Sequence, residues 1–206
     1  GVDTDLFGPP AAPRPDAPDP FGWFCCARLN RVKGHDTLIE AAGLLRARRP
    51  GLRFRIRIAG EDEQAGTGYH RDLDAMIAAA GLGEAVALLG SVTQDTVRNE
   101  LQAADGFVLA SRHEPLGVAY MEAMACELPV IGTDAGGVGE LITQGQDGLL
   151  VPPGDAEALA GAMARVMENG ELRQSLGKAA RRRILADFSS RRSADALAAA
   201  LAGGKP

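Results

Sequence analysis

The chain has no stretch of about 18 consecutive apolar residues, so no helix-length membrane span is expected. It has no basic excess: 22 Lys and Arg face 27 Asp and Glu, for a net charge of −5. A global cationic field for nucleic acid or anionic lipid is therefore missing. Cysteine is sparse. Cys25 and Cys26 sit side by side in an apolar run and Cys126 stands alone, so no metal-ligand spacing exists. All three read as small core residues, and a reducing, cytoplasmic setting is expected. There is no initiator Met and no signal peptide, and the opening GVDTDLFGPP reads like the interior of a longer protein. No G-x-G-x-x-G follows a strand, which disfavours a dinucleotide oxidoreductase; GTDAGGVGE comes nearest and lacks the spacing. A P-loop is also missing.

What is present is an ordinary globular composition, 46% hydrophobic and 24% charged over 206 residues. That length suits one well-buried domain, or one domain with an appendage. Residues 8–20, GPPAAPRPDAPDP, carry half of the proline and read as a linker or a surface-hugging arm. We divide the chain into an interdomain segment (1–20), a Rossmann-like domain (21–187), and a C-terminal helix and tail (188–206).

From residue 21 onward, strand and helix patterns alternate. FGWFCCARL (21–29) is a continuous apolar run, as expected for a strand buried on both faces. Helix-period apolar residues follow over 35–48 and stop at Pro50-Gly51. RFRIRIAG (53–60) alternates strictly. Phe54, Ile56 and Ile58 share one face and Arg53, Arg55 and Arg57 the other, so one face is solvated or the strand lies near a sheet edge.

Further helices are predicted over 69–80, 94–103, 117–127 and 156–168, the last capped by Asp155. A short helix is expected near Gly139, and two Ala/Leu/Arg-rich helices fill the C-terminus. Strands are predicted over 85–90, 106–111 and 128–133, with a brief one in DGLLVPPGD (147–155). Strands joined by helical crossovers form a parallel, doubly wound α/β sheet of about six strands.

In such sheets a ligand lies beyond the C-terminal strand ends, on loops leading into helices. The loop after the first strand, 28–34, carries Arg28 and Lys33, with Gly34 opening the next helix. A bidentate guanidinium and a point-charge ammonium suit a diphosphate. The loop SRHEPLGV (111–118) approaches the same crevice. Glu114 precedes Pro115, so its backbone is held out of the helix. The N–H groups of Leu116, Gly117 and Val118 are then expected to face the crevice, with Gly117 allowing a phosphate close approach. Glu122 stands one turn past Val118, about 6 Å along the axis. Carboxylates fit a phosphate site as acceptors for hydroxyls on either side of it, which describes a nucleotide sugar. On the residues alone a plainer reading stays open, with Glu122 on a solvated helix face and Glu114 as a cap.

Four motifs together resemble a known family: ARLNRVKG (27–34), the IAGEDE loop (58–63), EPLGVAYMEAMACELPVIGTDAGGVGE (114–140) and DGLLVPPGD (147–155). They resemble the C-terminal, donor-binding domain of retaining glycosyltransferases of the GT-B architecture, of the large family 4 or "group 1" type. The resemblance implies a hexosyltransferase that takes a UDP-, GDP- or ADP-sugar, works without metal or other cofactor, and serves polysaccharide or glycoconjugate biosynthesis.

The resemblance also implies roles by position. Arg28 and Lys33 bind the donor phosphates, Glu114 contacts the transferred sugar, and Glu122 holds the ribose hydroxyls. The backbone of Leu116 to Val118 forms the phosphate-binding turn. Gly60, Ser91 and Val92 line the nucleotide side, with Ser91 and Val92 at the base. An N-terminal acceptor-binding domain is expected as partner, and the 206 residues alone are expected to bind donor without transferring it. Two departures stand out: Pro115-Leu116 before the Gly, and Glu127 where Gly is frequent.

The D-x-D at Asp72 to Asp74 falls in a predicted helix, which argues against the metal-dependent GT-A type. A non-catalytic nucleotide-sugar module and a GT-B-like epimerase or phosphorylase remain alternatives. The basic clusters Arg181–Arg183 and Arg191-Arg192 read as solvated helix faces before a membrane or domain contact.

Overall fold

A computed structural model of the chain describes residues 1–62 and 68–192. Six strands form one parallel sheet: β1 (Phe21–Cys26), β2 (Phe54–Ala59), β3 (Val86–Gly90), β4 (Gly106–Val108), β5 (Val130–Thr133) and β6 (Leu149–Val151). Their spatial order is β3-β2-β1-β4-β5-β6. Chain order runs outward in both directions from β1 and β4, so the direction of winding reverses between those two strands. That point defines the crevice.

The burial pattern explains the order. The central strands β4 and β5 are buried at every position, and Trp23, Phe24 and Cys25 of β1 are buried in succession. Each large side chain removed from water there contributes about 1.5–3 kcal/mol. Strand β2 alternates, with Phe54, Ile56 and Ile58 inside and its arginines outside. It is second from the edge, not the edge strand. On its solvated face Arg57 makes paired 2.7 Å bonds to Glu100, and Arg53 pairs with Asp19.

Helices cover both faces. One layer holds α1 (His35–Arg48), α2 (Tyr69–Ala79) and α6 (Ala156–Glu168); the other holds α3 (Gln94–Ala103), α4 (Val118–Ala125) and α7 (Gly170–Arg183), and a short α5 (Val138–Leu141) precedes β6. Side-chain caps start three of them. Thr93 accepts from Thr96 N–H, Asp155 from Ala158 N–H at 2.9 Å, and Asn169 from Leu172 N–H at 2.9 Å. The Asp155 cap and the α3 span match the sequence expectation. The strand expected over 106–111 ends at Val108, and the helix expected from 117 starts at Val118. The second C-terminal helix expected from the sequence falls largely on 193–206, outside the described residues.

Residues 1–20 follow the surface of the domain. Val2 bridges Ser189, Phe7 is buried, and the Arg14 guanidinium donates to the carbonyls of Leu101, Ala104, Cys126 and Glu127. Those carbonyls close the C-terminal ends of α3 and α4, which carry the negative end of each helix dipole. A half-buried arginine therefore pins the proline-rich segment. Among the described residues, no helix is long and apolar enough to cross a membrane.

Candidate functional site

Two loops meet at the switch point. The first leaves β1, and Asn30 accepts from Lys33 N–H at 3.1 Å to cap the single 3-10 turn Arg31–Lys33. Gly34 then takes φ 67°. A Cβ there would lie 1.9 Å from the Ala110 carbonyl, so only glycine lets this loop close onto the strand end after β4. The second loop runs from Leu109 to Gly117. It rests on α5, whose Gly137 N–H donates to Glu114 O at 2.9 Å.

Across the crevice, Lys33 Nζ donates to Glu114 Oε2 at 2.6 Å. Both side chains are largely buried, 16% and 10% exposed. Ser111 Oγ donates to the same oxygen at 3.3 Å, and Gly117 N–H reaches Glu114 Oε1 at 3.3 Å. This departs from the sequence expectation in one respect: the Gly117 N–H leans on the Glu114 carboxylate. A carboxylate has about four lone-pair sites, so with three donors in place it retains room for one more. Lys33 likewise has three N–H donors and spends one on Glu114. Leu116 and Val118 are exposed on the lip, at 67% and 49%.

Beside this pair lies a recess of about 330 Å³. It gathers Arg28, Gly60, Ser91 and Val92, four positions the sequence reading had placed on three separate loops, together with Cys26 and Val97. Gly60 makes the close approach possible, since a Cβ there would meet the Ala27 carbonyl at 1.9 Å. The loop residues 63–67, part of the IAGEDE motif and its continuation, lie outside the described residues. Arg28 therefore lines the recess, whereas Lys33 pairs with Glu114 outside that lining.

Glu122 sits on the second turn of α4, half-buried. Burial pushes its carboxyl up to about 7. Its charge is felt by Cys26 in the recess; burial first, and then Glu122, push that thiol up to about 11. Cys25 and Cys126 are buried, whereas Cys26 is half-buried, packed against the core and also lining the recess.

Sequence reasoning missed Asn30, Ser111 and the Asp36–Arg112 pair. Asn30 had a legible signal, an Asn three residues before Lys33 as in a capped turn. The others depend on contacts between distant loops. Asp72 and Asp74 lie on α2 as expected, where Asp72 pairs with Arg31 and Asp74 with His70. No cluster of metal-ligating side chains occurs among the described residues.

A crevice at the switch of a doubly wound sheet, lined by cations and carboxylates, is where folds of this class bind ligands. The chain belongs to the glycosyl transferases group 1 family, whose pattern matches residues 16–183. It is 34% identical over 185 residues to a D-inositol 3-phosphate glycosyltransferase of an Arthrobacter species, covering 87% of this chain and 43% of that protein. It is 32% identical over 172 residues to the alpha-D-kanosaminyltransferase of Streptomyces kanamyceticus, covering 83% and 42%. The chain thus spans less than half the length of these relatives.

The fold is that of the C-terminal domain of a Francisella tularensis glycosyl transferase group 1 protein, with a TM-score of 0.82 at 24% identity over 92% of this chain and all of that one. Anabaena HepE, solved in complex with UDP and glucose, superposes with a TM-score of 0.85 at 24% identity over 99% of this chain and 55% of that one.

Proposed function

We propose that this chain is the donor-binding domain of a retaining glycosyltransferase, taking a hexose-type sugar from a nucleoside diphosphate without a metal. One observation carries the reading: Lys33 and Glu114 pair across the switch point, next to a recess that gathers Arg28, Gly60, Ser91 and Val92. Base and ribose occupy the recess, with Glu122 accepting from the ribose hydroxyls. The diphosphate runs from Arg28 to Lys33, and the transferred sugar meets the remaining acceptor site of Glu114. Solved HepE with UDP and glucose supports the ligand class.

In this reading, transfer builds negative charge on the departing diphosphate. Arg28, Lys33 and the N–H groups of Leu116 and Val118 stabilise that charge, the kind of electrostatic assistance that is usually the largest single catalytic contribution. The exposed lip of Leu116 and Val118 faces where an acceptor-binding domain closes the cleft. The enzyme works in the cytoplasm on a polysaccharide or glycoconjugate acceptor.

Calorimetric titration with UDP, GDP and ADP tests the reading. One nucleotide is expected to bind wild type, and Lys33→Ala and Glu122→Ala are each expected to bind it more weakly. Unchanged affinity in both variants removes the site assignment.

A further inference from the structure

The two loops that flank the crevice come from different halves of the sheet, yet Lys33 and Glu114 meet at 2.6 Å. One side chain outside the ligand-facing set holds them in register. Arg112 precedes Glu114 by two residues, and all of its recorded bonds land on residues 31–37. Its backbone N–H donates to Val32 O at 2.7 Å. Its Nη1 donates to Arg31 O and to Asp36 Oδ1, the latter at 2.8 Å. Its Nη2 donates to Asp36 Oδ2 at 3.0 Å and to Thr37 Oγ1 at 3.2 Å. Arg31, Val32, Asp36 and Thr37 stand on both sides of Lys33 in sequence, so the fork brackets the turn that carries the ammonium.

The pair differs from an ordinary surface ion pair. Exposed single-contact pairs contribute about 0–1 kcal/mol and fix little geometry. Here a planar guanidinium meets a carboxylate through two parallel bonds and also reaches a carbonyl and a hydroxyl, an arrangement that sets orientation as well as distance. Asp36 is only 17% exposed in its side chain. Burial would push its carboxyl up, but the bonds from Arg112 and from Thr37 N–H outweigh it and hold it below the usual carboxylate range. The partner is thus ionised across the neutral range. On its far side the same turn is held by Arg31, whose guanidinium lies 5.1 Å over the Tyr69 ring and pairs with Asp72 at 3.0 Å.

We propose that Arg112, with Asp36, is a positioning residue that presets Lys33 opposite Glu114 and so builds the subsite for the outer, β-phosphate of the donor. The inference rests on the nucleotide-sugar reading of the crevice. Lys33 lies at the Glu114 end, outside the lining of the recess that takes base and ribose, so the outer phosphate depends on it. Loosening the 31–37 turn then affects a nucleoside diphosphate and leaves a nucleoside monophosphate nearly untouched. A purely stabilising role makes no such distinction.

The test is calorimetric titration of the full chain with the preferred nucleoside diphosphate among UDP, GDP and ADP, and with the matching monophosphate. Arg112→Ala and Asp36→Asn are each expected to weaken the diphosphate roughly tenfold, about the effect of one charge-assisted bond. The monophosphate stays within about twofold in both variants, because neither touches the recess. Arg112→Lys keeps the charge without the fork and falls between wild type and Arg112→Ala. The double variant is no weaker than the worse single one. An unchanged ratio of diphosphate to monophosphate affinity, with or without a lower melting temperature, overturns the positioning role while the site reading stands. Wild type that binds none of the three nucleotides overturns both.

Discussion

Lys33 and Glu114 lie 81 residues apart in sequence and 2.6 Å apart in space, and their contact joins the two halves of the sheet at its switch point. Neither group is well solvated, so each depends on the other. Lys33→Ala leaves a largely buried carboxylate with one donor fewer and is expected to cost about 2 kcal/mol in urea unfolding. Combining it with Glu114→Ala should cost less than the sum of the single changes, by about 1 kcal/mol. Strict additivity would mean that the pair does not couple the loops.

Gly34→Ala tests how closely those loops must approach. The added methyl would lie 1.9 Å from the Ala110 carbonyl, on a backbone with φ 67°. Strain and loop displacement together are expected to destabilise the domain by about 3 kcal/mol or more and to abolish nucleotide binding. An unaltered urea midpoint would contradict the packing described here.

Glu127 offers a gain. It is the one non-glycine with positive φ among the described residues, at 60°. It follows the last turn of α4 in a Schellman arrangement, with Glu127 N–H on Met124 O and Leu128 N–H on Ala123 O. A left-handed side chain costs about 1–2 kcal/mol, against about 0.5–1 for the extra freedom of an unfolded glycine. Glu127→Gly should therefore stabilise by up to about 1 kcal/mol, read as a raised melting temperature. A lowered one would show that the Glu127 side chain contributes more than its backbone strain costs.

Glu122 makes stability and binding respond to pH in opposite senses. Burial raises its folded value to about 7 from 4.5. Between those values the folded state holds the proton more tightly than the unfolded state, so this group's contribution to stability falls as pH rises from 4.5 to about 7. Glu122→Gln should thus melt higher than wild type above pH 7 and about equally near pH 4.5. In the proposed site the ionised carboxylate is the stronger acceptor for ribose hydroxyls. Nucleotide affinity of wild type relative to Glu122→Gln is therefore expected to rise from pH 6 to pH 8, through the value of about 7. A constant ratio would remove Glu122 from the ligand.

The strands and helices were legible because their signals are local. The apolar run at 21–26, the alternation at 54–58 and the Asp155 cap each depend on neighbouring residues, and the structure follows them. The crevice was legible for a related reason: strand ends in a parallel sheet share one edge, so Arg28, Gly60, Ser91 and Val92 come together from three loops. Polar partners chosen across the fold left no such trace. Arg14 on four carbonyls, Arg112 on Asp36 and Gly117 N–H on Glu114 depend on where loops end up, which no periodicity reports. Arg57 illustrates the limit, since its pairing with Glu100 depends on where α3 packs against the sheet.

The most direct test is calorimetric titration of the 206-residue chain with UDP, GDP and ADP, alongside an assay for sugar transfer to an acceptor. The account predicts saturable binding of one nucleoside diphosphate, lost or weakened in Lys33→Ala and Glu122→Ala, and no transfer by this chain alone. Absence of binding to all three, or affinity unchanged in both variants, would contradict the assignment of the crevice; robust transfer would contradict the need for a separate acceptor-binding domain.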